Sequence, residues 1–251
     1  MAREYEKGTD FGGDDMSLMN TPIWEIIKGS FAPEVWQRIL PATLETLYMT
    51  GLSAVIMVVF GLILGILLTV TNPNGLVPIK ALYTASGWFI NVLRSLPQMI
   101  MIILMIPIAR LIFGRSYGTD ACIIAIAASC IPMYARIVEN SLLEIEKGKV
   151  EAAKSIGSTN FQIIFRILLP ETIPSLIRGF TVAVITIISM TALAGMFGAG
   201  GLGDIAVRFG YQRFQHDILF AAVYVLILLV QIVQFLGDFT SRQILKKRNL
   251  V

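Results

Sequence analysis

The chain has 251 residues, 55% of them hydrophobic and 15% charged, with a formal net charge of +3 and a mean hydropathy of +0.74. A soluble domain carries about 25% charged residues, and one of this size still needs a charged skin around its core. The composition therefore excludes an ordinary soluble enzyme, a nucleic-acid binder and a disordered chain, and leaves a polytopic membrane protein.

The first fifteen residues are polar and acidic, which predicts no cleavable signal peptide. Residues 1–45 read as an external N-terminal extension. Within it, Trp24, Ile27, Val35, Trp36 and Leu40 suggest an interfacial helix over about 22–40. A spanning helix needs roughly 20 apolar residues. No charge occurs between Glu45 and Lys80, so Thr50–Val70 is the first span, ended by Asn72-Pro73-Asn74-Gly75. Gly61 and Gly65 in that span form a G-x-x-x-G pair, which permits close packing within the subunit or against a neighbour.

The second span is expected over Phe89–Ile112, with Arg94 near its cytoplasmic mouth and Pro97 and Pro107 inside it. The third, Ala121–Ala135, is short and requires Arg136 to snorkel at its end. Cys122 and Cys130 lie on it. At ~1.5 Å rise per residue they stand ~12 Å apart, too far for a disulfide, and read as buried hydrophobes. Gly179–Gly203 is the fourth span and Ile218–Gly237 the fifth.

Five spans put the termini on opposite faces. The tail and the loop from Arg136 to Arg178, with Lys80 and Arg94, hold 12 of the 20 basic residues. The positive-inside rule then makes that face cytoplasmic and the N-terminus external. Residues 46–245 form the transmembrane domain and 246–251 a basic cytoplasmic tail.

The chain has no G-x-x-x-x-G-K-[ST] loop, no H-E-x-x-H and no Cys/His cluster, and His216 is its single histidine. No span holds a pair of carboxylates for a proton relay. The reading is a membrane path without an engine: no catalytic residue, no metal and no cofactor of its own. If the path is driven, the energy comes from a partner. The fourth span is the best candidate for that path. Its glycines weaken the helix by ~1 kcal/mol each against Ala and make a break near the outer end cheap. Ser189, Met190, Thr191 and Met196 are the gate candidates, with their hydroxyls expected to face a cavity or, alternatively, to bond back to their own helix. The outer segment Gly201–Asp217, with Asp204, Arg208, Tyr211 and Arg213, offers a surface to an external partner.

The loop 139–175 between spans three and four is the longest polar stretch after the N-terminus. Val150, Ala153 and Ile156 recur every three residues and predict a short amphipathic helix, which Gly157 can end in the left-handed conformation. Pro170 and Pro174 restrict the chain as it turns back to the membrane. Such a helix either docks on a partner or lies on lipid.

The motif Glu151-Ala152-Ala153, three residues, Gly157, nine residues, Ile167-x-Leu169-Pro170 resembles the EAA loop of ABC-importer permeases. The resemblance runs over about Thr43 to Lys246. Leu93–Pro97, Met105–Arg110 with Gly114, Arg136–Ile145 and Gly198–Gly203 resemble the methionine-import branch, as does the count of five spans. The resemblance implies an all-α polytopic membrane protein of the type I importer fold. It implies an ATPase-coupling site at Glu151, Ala152, Ala153, Ser155, Ile156 and Gly157, supported by Ile167, Leu169 and Pro170. It also implies a second copy of the chain, two ATP-binding cassette subunits that hold the ATP and Mg, an external substrate-binding lipoprotein, contact with membrane lipid, and no nucleic acid. Methionine or a related small amino acid is the implied solute. A different small amino acid, or an ATP-independent channel or carrier, are the alternatives.

Overall fold

The computed structural model describes residues 22–114 and 118–247. Residues 1–21 of the expected extension, Arg115 and the tail residues 248–251 lie outside the described residues. All regular structure among the described residues is helical. Four helices are long and apolar enough to cross a membrane, and one bent pair can supply a fifth crossing.

A short helix α1, Ile23–Gly29, precedes α2, Pro33–Thr71. Pro33 at the first turn of α2 fits because its missing N–H would be unpaired there anyway. At ~1.5 Å per residue α2 is ~58 Å long, well beyond the ~30 Å of a hydrocarbon core. The helix is therefore longer than the expected span Thr50–Val70. The interfacial helix expected over 22–40 is divided: residues 33–40 are the opening turns of α2, and the boundary placed at residue 45 falls inside that helix. Tertiary packing is the reason. Val35, Ile39 and Ala42 are buried in a small apolar cluster with Leu202, Ile205, Ile218 and Ala222.

The expected second span is two helices, α3 (Lys80–Ser95) and α4 (Gln98–Phe113), bent by 108°. Leu96 lies in the extended region, φ −73° and ψ 133°. Pro97 disfavours a helical conformation at the residue before it and donates no N–H. The bend places Arg94 in the last turn of α3, one residue before Ser95 and beside the break.

Helix α5, Thr119–Leu143, runs well past Ala135. Arg136 is thus inside the helix and does not snorkel at its end. Its Nη1 lies 2.6 Å from the Glu139 carboxylate, and Nη2 donates to Gly87 O at 3.0 Å and to Asn91 Oδ1 at 3.1 Å. Glu139 is 2% exposed. The pair hooks α3 onto α5. The G-x-x-x-G pair packs within the subunit: a Cβ on Gly65 would stand 2.5 Å from Val138 Cβ and 2.7 Å from Ala135 O, and Gly61 faces the Tyr134 ring. Both cysteines of α5 are free and buried.

After α6, Lys147–Ser155, comes α7, Asn160–Gly195. Pro170 and Pro174 do not turn the chain; they sit in this continuous helix. Pro170 lacks the N–H that the carbonyl of residue 166 would accept, and the turn Ile164–Leu168 just before it is π-helical, which absorbs the mismatch. Helix α7 then ends at Gly195, and Gly198, Gly200 and Gly201 carry positive φ through the following turn. The short helix α8, Gly201–Ile205, continues as a π-helical stretch, Ala206–Tyr211. The last helix, α9, is His216–Lys247.

The main core lies where α2, α5 and α7 meet, around Met57, Ile126, Ile187 and Met190, each fully buried. Two polar seams complete it. Ser141 and Ser175 hydroxyls lie 2.8 Å apart between α5 and α7, and Arg178 Nε donates to Ser241 Oγ at 3.0 Å between α7 and α9.

Candidate functional site: an exposed helix between two spans

Helix α6 stands between the ends of α5 and α7. Its last turn is closed by Gly157, whose φ of +81° only glycine adopts freely. Two bonds complete the end: Gly157 N donates to Lys154 O at 3.0 Å and Ser158 N to Ala153 O at 3.0 Å. A capping box starts the next helix at once. Thr159 Oγ1 accepts from Gln162 N at 3.3 Å, and Gln162 Oε1 accepts from Thr159 N at 2.9 Å. The turn between α6 and α7 is therefore short and fixed.

The faces of α6 are unlike. Ala153 is buried and joins the main core with Ile163 and Leu168, while Val150 packs beside it. Glu151, Ala152 and Ser155 are exposed, and Ile156 is 84% exposed. Ile167, Leu169 and Pro170 are half-buried on α7; Ile167 and Leu169 pack on the core that holds Ala153. They support the helix from behind. Phe161 and Phe165, at the start of α7, are also exposed, with ring centroids 4.4 Å apart. Lys149 Nζ bonds Glu171 Oε1 at 2.6 Å and ties α6 to α7. On the other flank a cavity of about 320 Å³ separates α6 from the turn 72–76, with Lys147, Glu151 and Lys154 on its wall.

Residues 57–247 match the family described as the binding-protein-dependent transport system inner membrane component. The chain belongs to this family. Its relatives and structural neighbours extend the likeness. The chain is 40% identical over 206 residues to a protein of Vibrio cholerae named probable D-methionine transport system permease protein MetI, covering 82% of this chain and 92% of that one. It is 41% identical over 214 residues to the methionine import system permease protein MetP of Bacillus subtilis, covering 85% and 95%. A chain of the solved MetNI methionine ABC transporter, described as inward facing, superposes with a TM-score of 0.83 at 36% identity, covering 85% of this chain and 99% of that one. An amino acid ABC transporter structure shares the fold alone, with a TM-score of 0.70 at 17% identity, covering 84% and 95%. The expected architecture, an all-helical type I importer permease, is thus found.

The four gate candidates of the permease do not lie together. Met190 and Thr191 are buried in the core, Ser189 is exposed and Met196 is 53% exposed beyond the end of α7. The hydroxyls bond back to their own helix: Ser189 to Ile185 O at 3.1 Å and Thr191 to Ile188 O at 2.7 Å. Sequence reading missed two polar anchors of the permease. One is the Arg136–Glu139 pair. The other joins α2 to α8, where Gly201 N donates to Glu45 Oε2 at 2.7 Å and Leu202 N to Thr46 Oγ1 at 2.9 Å. The only signal for the first was an Arg and a Glu three residues apart at the edge of an apolar run. The second spans 156 residues of sequence and had no local signal.

On the opposite side from α6, Arg38, Arg208 and Arg213 surround the Phe209 ring at 4.7, 5.0 and 4.8 Å. Arg208 also pairs with Asp204 at 2.5 Å. The outer segment expected as a free surface is therefore folded on itself in part.

Proposed function

We propose that this chain is the membrane subunit of an ATP-driven importer of methionine or a closely related amino acid. Two copies form the path, and α6 of each seats on an ATP-binding cassette subunit that binds ATP and Mg and hydrolyses the nucleotide. Glu151, Ala152, Ser155 and Ile156 make the contact; Ala153 and Gly157 set its posture. An external binding protein delivers the solute to the face that carries α8, with the N-terminus outside and the C-terminus in the cytoplasm.

The observation that carries the coupling reading is the outward face of α6. Ile156 at 84% exposure, with Phe161 and Phe165 exposed on the next helix, supplies apolar surface of the kind that marks a protein contact. Small Ala152 lets a partner surface approach closely. The solute follows from the names of relatives about 40% identical over most of their length.

The test is reconstitution with the ATPase subunits and the binding protein in proteoliposomes. ATP-dependent uptake of labelled methionine is expected. Glu151→Arg and Gly157→Trp are expected to abolish uptake while the protein still inserts. Undiminished uptake by both variants overturns the coupling role. Uptake that needs no ATPase subunit overturns the importer reading in favour of a channel or carrier.

A further inference from the structure

We infer that the inner side of the α3–α4 bend is a binding site for the transported solute, in which Arg94 holds its carboxylate. The inference rests on the amino-acid permease reading above and assigns the residues that recognise the solute within the membrane.

A cavity of about 210 Å³ lies in the bend. Arg94, Gln98 and Ser129 are its polar walls, and Leu93, Leu96, Met101, Cys130 and Met133 its apolar ones. Its depth can be read from α5. Ser129 to Met133 bracket the midpoint of the 25-residue helix Thr119–Leu143, so the cavity sits about 15–21 Å from either end at ~1.5 Å per residue. Arg94 is therefore an exposed cation beside the middle of α5, on a helix pair long and apolar enough to span together. Among the described residues no carboxylate pairs with it. A charge within a span faces a water-filled cavity or a partner group and not lipid. The broken backbone agrees. The last carbonyls of α3 and the first N–H groups of α4 have no helical partners, and such ends are tolerated within a membrane only where they are buried in protein or line a cavity.

The lining selects a chemical class. A guanidinium with its fork of donors fits a carboxylate in bidentate fashion. No acidic residue lines the cavity, so the anionic group must come from the ligand. The carbonyl end of α3 carries partial negative charge and suits an ammonium. The remaining wall is two leucines, two thioethers and a thiol, an apolar and partly adaptable surface that accepts an apolar side chain. A cavity of this size suits a small solute and not a drug-sized one. Together these specify a zwitterionic α-amino acid with a small apolar side chain. The back wall is coupled to α7, because Cys130 Sγ lies 3.6 Å from Met190 Sδ.

The test uses the permease–ATPase complex in nanodiscs, without nucleotide. Ser129→Cys and, separately, Gln98→Cys serve as reporter thiols. The native Cys122 and Cys130 are 4% and 1% exposed, and peptide mass spectrometry reads each position by itself. Excess L-methionine is expected to slow labelling of both reporters by a methanethiosulfonate at least about three-fold. Methioninol, which lacks the carboxylate, is expected to give no protection. Adding Arg94→Gln should remove the protection, and Arg94→Lys should keep part of it. Equal protection by methioninol or by sulfate, or protection that survives Arg94→Gln, overturns the inference. If the wild-type complex imports methionine but methionine protects neither reporter, the site is refuted and the transport reading stands. If the complex imports no methionine, the transport reading itself falls.

Discussion

Two parts of the permease contain equally apolar sequence and end in opposite conditions. The α2–α5 seam is closed by small residues: Gly61 and Gly65 admit Tyr134 and Val138, and side chains there are fully buried. The α3–α4 arm is open. Trp88 is 68% exposed and Leu111 87% exposed; the arm buries only a few side chains against the frame, such as Ile90 and Ile102, and a polar cluster around Arg136 joins α3 to α5. The difference shows how a membrane protein combines a fixed frame with a part left for other partners. In lipid, apolar area drives little helix association. Close fit makes the frame, and a hydrogen-bonded charge pair makes the joint.

The comparison is broken most severely at that joint. Arg136→Met leaves Glu139 buried without its cation, an uncompensated charge worth about 3–5 kcal/mol. Thermal melts of the purified permease should show the loss, and Arg136→Met with Glu139→Leu should recover most of it. Failure of the double variant to recover would mean that the bonds to Gly87 and Asn91 matter more than the charge pair.

The frame is tested by two alanines on one helix. Gly51 has nothing within 4 Å of a built Cβ, whereas Gly65 has Val138 and the backbone of Ala135 at 2.5 and 2.7 Å. Gly51→Ala should stabilise by up to ~1 kcal/mol through helix propensity. Gly65→Ala should destabilise by about 1–3 kcal/mol through overpacking. The same sign for both would show that packing does not hold the seam.

Smaller effects are expected on α6, which shares features of both parts. Gly157→Ala meets no neighbour but must adopt a positive φ, at roughly 1–2 kcal/mol; stability should fall slightly and uptake more. Lys149→Ala removes an exposed ion pair with Glu171 and should change stability by less than ~1 kcal/mol. A large loss in the melt would mean that α6 is clamped by this pair and not by the burial of Ala153.

Much of the frame was legible because charge-free runs of about 20 residues report membrane crossings directly. The end of α6 was legible at Gly157, a local conformational demand. The bend at Leu96–Pro97 was not, since Pro107 sits equally in an apolar run and leaves its helix unbroken. The contacts that hold α3 beside α5 are also invisible locally, since Arg136 reaches Gly87 and Asn91 across 49 and 45 positions. The gate candidates illustrate the same limit. Composition marks Ser189 and Thr191 as polar, but the carbonyl four or three residues earlier satisfies each hydroxyl.

The unbroken run of α7 has a mechanical consequence. Its 36 residues make a rod of ~54 Å, joined to α6 by the short, capped turn Gly157–Thr159. If α6 is tugged so that this rod tilts by about 5°, the far tip sweeps roughly 5 Å, about the height of one helical turn. A small stroke at one membrane face is thereby geared up at the other.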